Sequence, residues 1–357
     1  MSTVGTAPTK PAISPLVGAR LPGWALPAVA AGAVALALAA KYGLGWTGWT
    51  TAFFTAAALF VIILTAWSFA VEGLRRAKDR MASTLIYASF VAALVPLVLI
   101  LGYILVKGFS ALSPDFLTHS MSGVSSREPG GGVYAAMVGT IQQVAIASVI
   151  ALPIGLLTAI YLVEYGRGVF ARAVTFFVDV MTGVPSIVAG LFVYTALLLQ
   201  FGLRPFGFAG AIALAILMLP VAVRSSEEML KLVPRDLREA SYALGVPRWR
   251  TIIKVVLPTA MSGLITSGLL AVARVAGETA PLILLVGYAA KINFNPFAGD
   301  QATLPVMIWD QLGKRGGSVT EYTTDRAWGA ALVLVLLVLI LNIVARLLAR
   351  LTRPKAR

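Results

Sequence analysis

Three ionisable side chains, Asp179, Arg274 and Glu278, fall inside long apolar runs of this sequence. An Arg at mid-bilayer depth costs about 2.5 to 3.5 kcal/mol on insertion scales, so one placed there marks a functional site and requires a partner nearby. Glu278, four residues on, can meet Arg274 on one helix face, with Arg preceding Glu, the less favourable order for helix stability. A planar guanidinium suits phosphate-type oxygens, and Glu278 could hold it until an anion competes. A single buried cation then makes a transient resting point, which translocation needs. The competing reading is a neutralised pair that only fixes helix packing. Asp179, near one end of its run, can reach interfacial water or cap a neighbour. Thr182, Pro185 and Ser186 follow it. Proline frees a carbonyl in the preceding turn, so these three either line a path with backbone polar groups or merely kink the helix.

The elements that must position these residues are membrane-spanning helices. Of 357 residues, 59% are apolar and 12% charged, and mean hydropathy is +0.87, a balance foreign to soluble domains. Apolar runs cover 24–40, 51–71, 85–106, 134–163, 174–200, 207–223, 259–288 and 327–348, holding Lys or Arg only at Arg274 and at Arg346, which is counted with the inner tail at the end of the last run, and each is long enough or nearly so for a ~30 Å hydrocarbon core. The expected fold is all-α and polytopic, with about eight transmembrane helices. The runs do not alternate with period two, which excludes a β-barrel. The two longest are expected to tilt or kink, with Pro153 and Pro281 as break points.

With both termini inside, 20 Lys and Arg fall on the inner side and 8 on the outer, Arg274 alone lying within a span. The bias places both termini in the cytoplasm. The +14 charge therefore sits in loops between spans, next to membrane lipid, and not on a basic face for nucleic acid. Absence of cysteine excludes disulfides and thiolate chemistry, and one histidine, His119, builds no metal cluster. His119 reads as a solvated outer-loop residue. Ala37-Leu38-Ala39 fits a signal-peptidase site, but 40 residues is long for a leader and a second apolar run follows closely, which favours an uncleaved two-helix addition. The expected organisation is a disordered cytoplasmic tail at 1–22, two additional helices with a basic loop at 23–80, a six-span region at 81–350 with a charged inner loop at 224–258, and a basic tail at 351–357.

The inner loop reads RSSEEMLKLVPRDLREASYALGVPRWRTIIKVVLP. Pro234 suits a helix's first turn, Asp236 and Glu239 its positive end, Gly245 the left-handed position after its end, and Pro247 follows. A helix over 234–244 is predicted, with Leu237, Ala240, Ala243 and Leu244 at three- and four-residue spacings that could press into another protein's groove. The bland alternative is a solvated basic loop.

Glu239-Ala240, then Gly245, then Val255 and Leu257-Pro258 resemble the EAA-x3-G-x9-I-x-LP signature of importer permeases of the ATP-binding-cassette class, with Ser241 where Ala is usual. The resemblance implies that Glu239, Ala240, Gly245, Pro247, Leu257 and Pro258 belong to a coupling segment docked on a cytoplasmic ATPase. No G-x-x-x-x-G-K-[ST] occurs, so this chain is expected to be no enzyme and to hold no cofactor, with ATP and Mg in the partner subunit.

ARVAGETAPL (273–282), TGVPSIVAGL (182–191), GGVYAAMVGT (131–140), PIGLLTAIYLVEY (153–165) and LPVMIWDQL (304–312) are similar to the A-type permease of the high-affinity phosphate importer. That implies a type I six-helix permease core at about 82–350, a related second permease as heterodimer partner, two ATPase subunits, and a phosphate-binding protein docking on outer loops 108–133 and 289–326. It also implies alternating access, with Arg274 paired by an equivalent Arg of the partner. A permease for molybdate, sulfate or a polar solute stays open, and a membrane enzyme or scaffold more remotely. An enzyme would place a nucleophile and base, or metal ligands, at one depth.

Overall fold

A computed structural model describes residues 20–46, 48–313 and 319–351. The tails predicted at 1–22 and 351–357 lie outside these except for 20–22 and 351. The described residues are helical throughout their regular structure, and the chain divides into two compact units, Met1–Leu101 and Gly102–Arg357.

In the first unit, α1 (Ala25–Gly43) and α2 (Trp49–Glu72) form a hairpin. Ala25, Val29, Ala33 and Ala37 recur every four residues, make one face of α1, and are all buried. Small side chains on that stripe allow close approach of the two helices. The hairpin is closed at one end by Glu72, whose carboxylate accepts from Leu21 N at 2.8 Å, Ser68 Oγ at 2.7 Å and Arg80 Nη2 at 2.9 Å. At the other end Lys41 Nζ lies 3.1 Å from the centre of the Trp49 ring. Gly73, at φ +86°, separates α2 from α3 (Leu74–Ala111). The basic residues 75–80, expected in a loop, are instead the first turns of α3: past Gly73 nothing breaks the helix, so it starts well ahead of the apolar run.

The second unit continues with α4 (Pro114–Thr118), α5 (Tyr134–Ile160, closing in a π-helical turn Tyr161–Tyr165), α6 (Gly168–Thr182), α7 (Ser186–Val193, continued by a π-helical turn Tyr194–Leu199) and α8 (Gly207–Lys231). Then come α9 (Arg235–Ala243), α10 (Arg248–Thr251, running through Ile252–Val256 into α11), α11 (Leu257–Ala276), α12 (Ala280–Leu285), α13 (Leu304–Gly313) and α14 (Glu321–Leu351). Seven helices among the described residues are long and apolar enough to cross a membrane, or eight spans if the bent pair α6 and α7 counts as one.

The core of this unit gathers Ala147, Ala151, Leu214, Met218, Ala271, Val275 and Leu285 from α5, α8, α11 and α12. Small residues again set the spacing: a Cβ on Gly155 would stand 2.8 Å from Ala222 Cβ, so α5 and α8 touch at van der Waals distance. One expectation is corrected here, and two breaks are located. Pro153 does not break α5, which runs through it, and the irregularity falls later, at Tyr161–Tyr165. The run at 174–200 is not one straight span but two helices meeting at 105°. The run at 259–288 stops being helical at Ala276 and resumes at Ala280, with Pro281 in the first turn, so the break expected at this proline is present.

Candidate functional site

The two interrupted spans carry the predicted path residues. Thr182 is the last residue of α6, its Oγ1 donating back to Val178 O at 2.9 Å. The proline ring disfavours helical backbone for Val184 before it, so the helix ends and Pro185 becomes the residue from which α7 starts at Ser186. Gly183 and Pro185 are exposed and Ser186 half-buried. In the second interruption Arg274 stands in the last turn of α11, Gly277 caps it, and Glu278 already lies outside the helix. α7 packs on α12, and a Cβ on Gly190 would stand 2.6 Å from Pro281 Cα. The motifs at 182–191 and 273–282 are thus brought side by side through Gly190 and Pro281.

Arg274 and Glu278 are not joined. No ion pair links them among the described residues, because a four-residue pair needs helical backbone throughout and the helix ends at Ala276. Arg274 is exposed and stands in the last turn of α11, where the helix dipole favours positive charge. The arrangement leaves a guanidinium fork open to an anion. Asp179 does find a partner: its Oδ1 accepts from Arg224 Nη2, whose Nη1 donates to Glu227 at 2.7 Å, and Glu227 in turn accepts from Lys231 at 2.6 Å. This chain of charges ties α6 to the end of α8.

The stretch expected as a loop at 224–258 is mostly helical. α8 runs on to Lys231, and Arg248–Val256 is continuous with α11, leaving α9 between two short turns. The predicted helix at 234–244 is α9, with Pro234 just before it instead of inside its first turn. Gly245 has φ +73°, a left-handed conformation that costs glycine nothing. Glu239, Ala240, Gly245 and Pro247 are exposed, and Leu257 and Pro258 form the partly buried first turn of α11. Beside them Leu237, Tyr242, Leu244 and Trp249 are exposed, an apolar patch rimmed by charge. Ser241, the departure from the usual Ala, is buried and its hydroxyl shares a 2.8 Å hydrogen bond with that of Thr251, fastening α9 to α10.

One tie escaped the sequence reading. Arg238 of α9 donates from Nε (3.0 Å) and Nη2 (2.9 Å) to Glu164 Oε1 in the π-helical turn after α5, and from Nη1 and Nη2 to the carbonyls of Val233 (2.6 Å) and Leu230 (2.9 Å). The one signal for it was a lone Glu closing the apolar motif at 153–165.

At the opposite end of α5, Thr140 Oγ1 accepts from Leu304 N at 2.8 Å and Gln143 Nε2 donates to Gln301 Oε1 at 3.0 Å, both buried. Nearby, Arg326 donates to the carbonyls of Gly130 at 2.8 Å, Ser125 at 3.2 Å and Glu128, holding the 125–130 loop. Burial, then the Asp310 carboxylate, push the Tyr288 hydroxyl up to about 12. His119 is exposed, as expected, and hydrogen-bonds the Asp115 carbonyl through Nδ1 at 2.9 Å.

Residues 151–357 match the family model for the binding-protein-dependent transport system inner membrane component. The chain belongs to this family. The match covers more than half of the sequence and includes both interrupted spans, α9 and the Leu257-Pro258 turn. Among curated relatives of this permease family, "Phosphate transport system permease protein PstA 1" of Mycobacterium tuberculosis (strain H37Rv) is 48% identical over 277 residues, 77% of this chain and 88% of that one. "Phosphate transport system permease protein PstA" of Yersinia pestis is 40% identical over 276 residues, 77% and 90%. A crystal structure of a bacterial alginate ABC transporter in complex with an alginate pentasaccharide-bound periplasmic protein contains a similar chain. It has TM-score 0.55 at 15% identity, covering 79% of this chain and 100% of that one, a likeness of fold alone. The chain is a multi-pass, all-α transport permease.

Proposed function

We propose that this permease is the transmembrane subunit of an ATP-driven importer that moves inorganic phosphate across the bacterial cytoplasmic membrane by alternating access. The observation that carries this reading is the 48% identity to phosphate transport permeases over 77% of the chain. The open guanidinium of Arg274 at the end of α11 supports it, since a planar fork matches phosphate oxygens. In this reading Arg274 meets the anion, Glu278 tunes its environment, and the α6–α7 turn at Thr182, Pro185 and Ser186 lines the path. A related second permease supplies the other half of the passage.

The ATPase partner, present in two copies, docks on α9 through Glu239, Ala240, Gly245, Pro247 and the exposed Leu237, Leu244 and Trp249. ATP and Mg belong to that subunit, because this sequence holds no phosphate-cradling glycine loop followed by Lys. An external phosphate-binding protein meets the outer loops, and both termini face the cytoplasm on the strength of the Lys and Arg bias. The test is uptake of radiolabelled phosphate at low micromolar concentration in cells lacking this chain, complemented with the native sequence or Arg274→Gln at matched membrane levels. Uptake restored by native and not by the variant is expected. Failure of the native chain to restore uptake with its partners present would overturn phosphate as substrate.

A further inference from the structure

Of the four charged side chains of α9, Arg235, Asp236 and Glu239 are exposed, and Arg238 alone is largely covered, at 14% side-chain exposure. Its partner Glu164 is covered further, at 3%. The guanidinium spends its donors on three elements at once: the carboxylate after α5, the last carbonyls of α8 and the turn into α9. Glu164 sits where α5 changes to a π-helical turn, a local widening that occurs frequently at functional positions. The other polar tie of α9, Ser241 to Thr251, reaches only the neighbouring segment. Arg238 to Glu164 spans 74 positions in sequence and joins α9 to a different spanning helix.

That helix is anchored at both ends. α5 makes its broadest packing with α8, and its far end is held by Thr140 to Leu304 and Gln143 to Gln301. A Cβ on Gly139 would fall 1.9 Å from Ala302 O, so helix and loop meet there without slack. A rod gripped at one end by a buried ion pair and at the other by a tight polar joint moves as a piece.

Resting on the reading of α9 as the ATPase contact, we propose that the Arg238–Glu164 pair is the positioning link that passes displacement of α9 to α5, keeping ATP hydrolysis and opening of the pathway in step. Neither residue touches substrate or nucleotide; Arg238 acts through α5. The charge-assisted fork is suited to this because it resists both stretching and rotation, which a single apolar contact does not.

The test uses the full complex in proteoliposomes with its binding protein, carrying Arg238→Lys or Glu164→Gln. Lys keeps the charge and loses the fork, while Gln keeps an acceptor oxygen and the volume and loses the charge. Both complexes are expected to assemble with normal ATPase content and to hydrolyse ATP, while phosphate moved per ATP falls about tenfold and stimulation of hydrolysis by loaded binding protein is lost. Assembled variants with the native ratio and native stimulation would overturn the link. Loss of assembly in both would overturn it too, since the pair would then only hold the fold. If the native complex moves no phosphate, the substrate reading fails separately, and stimulation of hydrolysis by the binding protein still decides the link.

Discussion

The two charged regions of the permease domain are built oppositely. Around α9 and the end of α8 four ion pairs form: Arg238 with Glu164, Arg224 with Asp179 and with Glu227, and Lys231 with Glu227. At the interrupted spans Arg274 and Glu278 are four residues apart and unjoined. A paired, partly buried guanidinium holds one geometry, whereas an unpaired one at a helix end is ready to bind and release. On the proposed reading, force is transmitted at the first region and a passenger is held briefly at the second. Gly277 ends a helix beneath Arg274, whereas Arg238 lies inside α9 and its partner Glu164 in a π-helical turn that keeps the chain helical.

The difference can be tested from both sides. The largest effect is expected at the unpaired charge: Arg274→Gln should take phosphate uptake to background while changing the stability of the purified complex by less than about 0.5 kcal/mol, because no partner is left behind. A loss of stability like that of a broken ion pair would show that Arg274 is structural. At the docking face, Glu239→Lys is expected to reduce co-purification of the ATPase severalfold with the permease fold intact, read by circular dichroism and pull-down. Unchanged ATPase recovery would remove Glu239 from the contact.

Smaller effects test the packing behind each region. Gly190→Ala places a methyl against the Pro281 backbone, which has no flexible end to yield, and should cost about 1 to 3 kcal/mol in thermal or denaturant unfolding. Ser241→Ala restores the usual residue of the coupling signature but deletes the hydroxyl pair with Thr251, for about 1 kcal/mol and little change in uptake. Tyr288 gives the smallest effect. Its hydroxyl titrates near 12 when folded against 10.0 for the ordinary group. The folded state therefore keeps the proton longer, so the contribution is fully present below about pH 10 and is lost as pH rises towards 12, with no pH dependence near neutrality. Tyr288→Phe should flatten that alkaline slope.

Much of this was legible in the sequence. The spans followed from hydropathy alone, and α9 with its left-handed Gly245 followed from Pro, acidic and Gly positions that act within a few residues. A kink at Thr182, Pro185 and Ser186 was one of the two readings of that stretch, but its size, two helices meeting at 105°, was not legible, because a proline marks where a helix stops and not the direction in which the next one leaves. The Arg274–Glu278 spacing misled for a related reason: register predicts a contact only where the backbone stays helical, and Gly277 ends the helix between them. Arg238 with Glu164 and Arg224 with Asp179 join positions 74 and 45 apart, and pairing at such distances is fixed by helix packing that no local pattern encodes. The basic run at 75–80 read as a loop because charge ended the apolar stretch, yet charge does not end a helix.

Gly190 and Pro281 meet with backbone against backbone, closer than any side chain would permit. Contact of that kind acts as a mechanical stop. From this arrangement α7 and α12 can slide past one another or draw apart, but they cannot press closer.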